Sequence, residues 1–422
     1  MIKGTYIQTK KELTKTKKIT EYIKPLTVCI PLENKFGVKY KHLVKEGDYV
    51  YKGTVVAINP DIDFPIHSSV SGYVIQGTKK MMLNGQKIKC IVIENDFKEK
   101  YEYKKGYKKN INNYSKEEFI EMLRTSGITG LGGGDFPTFI KYSSNKSIKC
   151  LVINGVECEA YATCDQAIMK QHADELLEAI DAITEIMKIK EAYIILKENN
   201  SSVLNEFSKY IGTYPNIGIK LVPDTYPSGW DRSIIENVFN IKYNKYPSEV
   251  GIIVNNVSTI YAIYEMLKYN RPLTERIITI TGNCIKKPTN IRVKIGAAIW
   301  EVIGNIDGYK NMKNPLFIAG GPMMGKSLPS DDVVVTKDLN CIVILENAKQ
   351  NSSICINCGK CAEVCPVNLI PVLIKDNANN PRKLKELQPH KCIGCGLCSY
   401  ICPSRIDIRE IVKLQGQGEK ND

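Results

Sequence analysis

The sequence predicts a multidomain α/β and α+β chain that ends in a small helical, cysteine-rich module. Three observations lead there. The 422 residues exceed what one hydrophobic core usually organises. Short alternating runs broken by glycine give way after about residue 110 to strand-helix-strand alternation. Eight of the fifteen cysteines fall between residues 355 and 402, in two copies of one pattern. Hydrophobic residues at 43% and charged residues at 24% are globular values, which excludes wholesale disorder and coiled coil. No apolar run approaches the ~18 to 20 residues of a membrane span. The N-terminal MIKGTYIQTKKELTKTKK has no apolar core to make a signal peptide, so the expected location is the cytoplasm.

Segments such as LVKEGDYVYKGTVVAI and HSSVSGYVIQG alternate apolar and polar residues between Val28 and Glu94, and predict a small β domain over 1–105. The Lys-rich stretches 3–24 and 98–109 carry part of the +13 net charge and read as solvated lysines, the second as a linker or charged hairpin. Ser115 with Glu118 three residues on has capping-box spacing and opens a second unit, 106–249. There GITGLGGGDFPTFIK leads into the buried-strand run KCLVINGVE, the helical QAIMKQHADELLEAIDAITEIMK and the strand AYIILK. GIIVNN, the helix STIYAIYEMLKYN and a hairpin around Lys286 to Asn290 form a third unit, 250–340, closed by the loop GGPMMG. The Cys-rich module takes 341–422, with QGQGEKND frayed.

Each repeat, Cys355, Cys358, Cys361, Cys365-Pro366 and Cys392, Cys395, Cys398, Cys402-Pro403, is C-x2-C-x2-C-x3-C-P. Three thiolates on a tight loop wrap one face of a cubane, and the fourth belongs to the other cluster. Cys355, Cys358, Cys361 and Cys402 are therefore expected to hold one 4Fe-4S centre, and Cys392, Cys395, Cys398 and Cys365 a second. Zinc knuckles have no use for the third Cys or the C-P. Such a module is a short wire that another site must feed. Gly130, Gly132, Gly133 and Gly134 let backbone N-H groups approach an anion, Lys141 adds a positive charge, and Asn154, Glu157 and Glu159 close a strand where α/β sheets bind ligands.

GLGGGDFPTFIK followed by NGVECEAY resembles the flavin and NADH segment shared by the RnfC family, a component of the membrane-associated Rnf electron-transport complex, and the flavoprotein subunit of respiratory complex I. ELT near Glu12, KEGDYVYKG, PIHSSVSGYV, TYPSG, NNVSTIYAIYE, RPLTERIITITG, GGPMMG and both cluster motifs follow in family order, so the resemblance covers nearly the whole chain. It implies a barrel-sandwich β domain, a Rossmann-like FMN domain, a β-grasp domain of the soluble-ligand-binding (SLBB) kind and a two-cluster ferredoxin-like module. Carried over by position, it implies that the backbone of Gly130 to Gly134 and Lys141 meet FMN phosphate and ribityl. Asn154, Glu157 and Glu159 would lie around isoalloxazine and nicotinamide. Asn255, Asn256 and Thr259 would close the phosphate pocket, with Tyr226 and Gly229 on its rim and Asp231 as the acidic residue beyond.

Asp135 stands where the family has Gly or Ala, and either repels cofactor phosphates or points to solvent. Trp230 replaces a Gly, Ala160 a Pro, and an early His-Pro segment is absent. Cys158 and Cys164 offer a redox pair or an extra ligand as the alternative to plain buried thiols; Cys29, Cys90, Cys150, Cys284 and Cys341 read as core. His67 is expected in a turn, His390 beside a cluster loop, and Met323 and Met324 in packing.

The resemblance implies an NADH-linked electron-transfer subunit with FMN, NAD(H) and two 4Fe-4S clusters. Its partners would be other Rnf-type subunits or a soluble reductase or ferredoxin, and it would touch the cytoplasmic face of the membrane only through them. The alternatives are the RnfC-like branch associated with proline reductase in amino-acid-fermenting anaerobes (PrdC), and a relay adaptor without a working NADH site. Nucleic acid is not an expected partner, because no recognition module accompanies the positive charge.

Overall fold

The computed structural model describes residues 2–418 apart from 84, 104, 105, 107, 109, 145 and 348–350. The hairpin or linker expected at 98–109 therefore falls partly outside the described residues, as do residues 419–422 of the frayed tail. Residues 415–418 are not frayed, since they complete the helix Ile408–Gly418.

Antiparallel strands Thr27–Pro31, Lys87–Asn95, Gly72–Met81 and Tyr49–Val50 form one sheet of the β domain, and Lys41–His42, Val55–Asn59 and Phe64–His67 the other. Val28, Ile30, Val56, Ile66, Val74 and Ile93 fill the space between them. Alternation places such residues on one face of each strand, and their removal from water drives the sandwich together. His67 is the buried last residue of a strand rather than a turn residue, because the hairpin partner Val55 covers it.

The second unit is a four-stranded, all-parallel sheet in the order Ile217–Val222, Glu191–Lys197, Cys150–Asn154, Ile252–Asn256. Helices Cys164–Gln171, Ala173–Met187 and Val257–Tyr269 cover one face and Asp231–Phe239 the other. The capping box at Ser115 is formed. The long helical run of the sequence is two helices, broken at His172, whose ψ of 34° is not helical. The sequence edge at 249 falls one strand short: Ile252–Asn256 pairs with Cys150–Asn154, and its helix packs on the same sheet.

A six-stranded mixed sheet follows, in the order Ile19–Tyr22, Thr289–Lys294, Glu275–Thr281, Cys341–Glu346, Pro315–Ala319, Lys326–Leu328. The expected hairpin joins Glu275–Thr281 to Thr289–Lys294. Two further sequence edges move. Cys341–Glu346 lies inside this sheet rather than in the cluster module, and the N-terminal segment leaves the β domain to pair Ile19–Tyr22 with Thr289–Lys294. A buried ionic network ties three units together: Glu275 Oε1 lies 2.6 Å from Lys52 Nζ and 2.9 Å from Lys294 Nζ, and Arg292 bridges Glu275 to Glu265. Charges this deep persist only when paired, so the network fixes how the units meet.

The C-terminal module is built of short helices, Lys360–Glu363, Pro371–Asp376, Pro381–Leu387, Leu397–Tyr400 and Ile408–Gly418, around Leu369, Ile374, Leu384, Ile408 and Val412. Among the described residues no helix is long and apolar enough to cross a membrane.

Candidate functional site

The eight repeat cysteines converge in two hollows. One is lined by Cys365, Cys392, Cys395 and Cys398, the other by Cys355, Cys358, Cys361 and Cys402. Each set takes three thiols from one repeat and the fourth from the other, which is the crossed grouping the spacing predicts. Cys361 and Cys398 ride on short helices entered through Gly359 and Gly396, with φ of 75° and 80°. Gly396 is required twice over, because a Cβ there would stand 2.4 Å from Met323 O. Burial pushes the Cys395 thiol up to about 11 and the Cys398 thiol up to about 12, so in the absence of metal these sulfurs hold their protons. Among the described residues no histidine or carboxylate lines either hollow. An all-thiolate donor set of this shape fits an iron-sulfur cluster.

The second site lies at the carboxyl end of the parallel sheet. The chain runs outward from Cys150–Asn154 through Glu191–Lys197 to Ile217–Val222, then returns to place Ile252–Asn256 on the other side, so the order reverses between Cys150–Asn154 and Ile252–Asn256. Ligands of doubly wound sheets bind in the crevice at such a point. Asn154 and Asn256 are register partners there. Asn154 Nδ2 donates to Gly229 O at 2.8 Å, Lys141 Nζ to Val254 O at 2.7 Å, and Asn256 Oδ1 caps helix Val257–Tyr269 by accepting from Ser258 N-H. Thr259 Oγ1 accepts from Leu131 N-H at 2.9 Å, which draws the glycine loop onto that helix. Gly132 is tightly placed, since a Cβ there would lie 3.0 Å from the Asn256 side chain and press on it.

Two observations test whether FMN fits, the first through donors for its phosphate and the second through an acceptor for one of its hydroxyls. Among the described residues the N-H groups of Gly132, Gly133 and Gly134 have no protein partner. Asn255 is buried, and although its Nδ2 donates to Tyr142 Oη, its Oδ1 has no partner. Three consecutive amides without protein partners, tied to the first turn of helix Val257–Tyr269, are donors of the kind that can bind an anion. The residues fit FMN, with Gly130 part of the turn that returns the loop: its N-H donates to Phe136 O. Burial lowers the Lys141 ammonium pKa, and Asp231, itself raised by burial, partly offsets this.

Four expected roles change. Glu157 does not face an open pocket: its carboxylate accepts from the Asp165 and Gln166 N-H groups and lies 3.7 Å from Lys11 Nζ, so Lys11 is not a solvated lysine. Glu159 accepts from Met323 and Met324 N-H at 2.7 and 3.2 Å, within the GGPMMG loop. Tyr226 is buried and turns from the rim to the cluster module, its Oη donating to Cys395 O at 2.7 Å. Asp135 does not point to solvent; it is buried in a left-handed turn of φ 53° beside Asp338, Lys337 and Lys35, and burial pushes its carboxyl up to about 6. Met323 packs as expected, with Tyr226, Cys395 and Leu397, whereas Met324 is exposed.

Trp230 is half-buried, with the Arg232 guanidinium 6.0 Å from its ring centroid. Cys158 Sγ abuts Gly229, and Cys164 Sγ donates to Asn340 O, so the two thiols serve different contacts. Cys29, Cys90, Cys150, Cys284 and Cys341 are buried. Glu157, Cys164 and Asp165 converge within 4.8 Å, but Asp165 already accepts from Asn256 and Ser258, and the trio reads as structural.

Two bridges join the sites. Tyr226 is one; the other runs from Glu159 through the Met323 backbone, whose carbonyl accepts from Arg409 of the cluster module at 2.5 Å. The N-terminal arm binds this seam: Thr5 and Tyr226 exchange both backbone hydrogen bonds, and Tyr161 N-H donates to Thr9 O. Sequence reasoning missed the contacts of the arm and of Arg409, because ELT near Glu12 does not record what Thr5 and Thr9 touch and Arg409 stands in no motif.

Residues 1–98 match the RnfC barrel sandwich hybrid domain, 123–265 the Nuo51 FMN-binding domain and 354–406 the 4Fe-4S dicluster domain. The chain is 31% identical over 361 residues to a subunit of the Na(+)-translocating ferredoxin:NAD(+) oxidoreductase complex of Acetobacterium woodii, covering 84% of this chain and 81% of that one. It is 33% identical to a subunit of the ion-translocating oxidoreductase complex of Vibrio cholerae over 82% of this chain, and spans only 46% of that longer relative. A solved NAD+-reducing [NiFe]-hydrogenase shares the fold, with a TM-score of 0.53 at 15% identity over 72% of this chain and 63% of its own. With its β domain, FMN-binding domain and dicluster module in this order, and its identity to the Acetobacterium woodii protein running through most of that protein's length, the chain belongs to the RnfC family.

Proposed function

We propose that this chain passes electrons between NAD(H), FMN and two 4Fe-4S clusters, and onward to or from a redox partner, as the NADH-linked subunit of an Rnf-type ion-translocating complex. The observation that carries the reading is the direct bridge from Tyr226, at the edge of the FMN-binding domain, to Cys395 in one thiol hollow. Bound FMN supplies the conversion between hydride and single-electron transfer. The free amides of Gly132 to Gly134 hold its phosphate, Asn255 Oδ1 offers an acceptor, and Asn154, Lys141, Gly229 and Asp231 form the floor at the strand ends. Glu157 and Glu159 brace the loop that forms one wall rather than touching the reacting atoms. No side chain acts as nucleophile.

The hollow of Cys365, Cys392, Cys395 and Cys398 is the inner station, because Tyr226 and Arg409 fix it to the flavin side. That of Cys355, Cys358, Cys361 and Cys402 is the outer one, with Cys358 exposed. Its surroundings, exposed Ile354 and Ile356, suit a partner subunit or soluble ferredoxin, through which the chain would meet the cytoplasmic face of the membrane.

An anaerobic absorbance titration of the reconstituted protein with NADH and then dithionite tests this. Bleaching of flavin and cluster bands by NADH supports the reading. Bleaching by dithionite alone refutes the NADH step and leaves a relay fed by a protein donor.

A further inference from the structure

Three cations reach the glycine loop from outside its own domain, and all three bind carbonyl oxygens. Lys337 of the β-grasp unit donates to Gly127 O at 2.8 Å, at the root of the loop. Arg276 of the same unit donates to Leu131 O at 2.7 Å, and holds itself in place through Lys337 O. Lys35, in a turn of the N-terminal β domain, donates to Gly133 O and lies 3.9 Å from Asp338.

A trans peptide is planar, with its C=O and the following N-H on opposite sides. Holding Leu131 O therefore aims the Gly132 N-H the other way, and holding Gly133 O aims the Gly134 N-H. Those are two of the three amides without a protein partner. Gly133, at φ 91°, supplies the turn that lets successive amides converge. Asp135 and Asp338 balance the cations.

We infer that Lys35 and Arg276 are positioning residues that orient the glycine loop's amides for the flavin phosphate, so that phosphate affinity depends on the β domain and the β-grasp unit staying docked on the flavin domain. The inference rests on the FMN reading and assigns residues from two other domains to it. Neither cation needs to touch the cofactor; each acts through a peptide plane.

The test compares FMN with riboflavin, which lacks the phosphate, by flavin fluorescence quenching on anaerobically purified, cluster-loaded protein. Lys35 is the first target because it is only partly buried and its loss spares the core. Lys35→Met is expected to weaken FMN about tenfold, the effect of one charge-assisted hydrogen bond, while riboflavin changes less than about threefold. Lys35→Arg, which keeps a donor at the carbonyl, restores FMN. Arg276→Gln should show the same selective loss where iron content confirms folding. An unchanged FMN-to-riboflavin ratio in Lys35→Met, or an equal defect in Lys35→Arg, overturns the inference. Wild-type protein that binds FMN no tighter than riboflavin overturns the phosphate reading beneath it, and the inference with it.

Discussion

Replacing Tyr226 with Phe removes one oxygen from the seam between the flavin domain and the cluster module. The ring is buried, so Phe keeps its packing; what goes is the 2.7 Å hydrogen bond to Cys395 O. The carbonyl is left without that donor in a dry contact, which costs about 1 to 3 kcal/mol. That free energy is lost from docking, because the bond spans two units, and at RT near 0.6 kcal/mol it corresponds to an opening equilibrium raised about 5- to 150-fold. Hydrogen exchange should report it as faster exchange at Gly394 to Leu397 and at Thr5, whose amide pairs with Tyr226. A second readout is electrochemical. Donors near a cluster favour its reduced, more negative form. If about 0.5 kcal/mol of the bond depends on oxidation state, its loss lowers the inner cluster's potential by about 20 mV for a one-electron couple. The outer cluster should not move. Unchanged exchange at the seam, with both potentials unshifted in an EPR-monitored titration, would refute the assignment of Tyr226 as the bridge.

Further outcomes follow from the same geometry. Cys402→Ala should cost the cluster otherwise held by Cys355, Cys358 and Cys361, and Cys365→Ala the inner one, each halving iron content; loss of the cluster from the same repeat instead would show uncrossed ligation. Asp135 binds its proton up to about pH 6 when folded and to about pH 3.8 when unfolded, so it contributes stability below that window that is lost as pH rises through it, by up to about 3 kcal/mol. The stability at pH 4 minus that at pH 7, from denaturant melts, should therefore be smaller in Asp135→Asn than in wild type, sign included. His67 works in the opposite sense, its imidazole held down to about 3 by burial, and is common to both proteins, so the comparison isolates Asp135. Gly132→Ala should lower FMN affinity at least about tenfold with iron content intact, because the new Cβ would press the Asn256 side chain at 3.0 Å; unaltered affinity would place the phosphate elsewhere.

What the sequence disclosed, and what it hid, divides along a physical line. The crossed grouping of the eight cysteines was legible because cubane geometry constrains residues within one short loop, and thiols are side chains that a sequence displays. The turn of the glycine loop was legible for a similar reason: the φ of 91° at Gly133 favours glycine, and a Cβ on Gly132 would crowd the Asn256 side chain. Domain edges were less so, because strand Ile252–Asn256 joins a sheet begun a hundred residues earlier and nothing local records that pairing. The carbonyl clamps were invisible. Every residue but its side chain looks alike at the acceptor, so Gly127 O, Leu131 O and Gly133 O leave no trace, and Lys35 is one lysine among many in a chain of 58 Lys and Arg. The positive charge thus includes Lys11, from a stretch read as solvated, and Lys35 and Lys337, each bound to backbone oxygen around the candidate flavin site. Each also faces a carboxylate, Lys11 with Glu157, Lys35 with Asp338 and Lys337 with Asp135, so their part is to hold peptide planes in place rather than to supply an unbalanced positive field. On this argument part of the chain's basic character is an internal device for holding an anion, and the lysines that matter to it are those whose substitution changes FMN affinity without changing net surface behaviour.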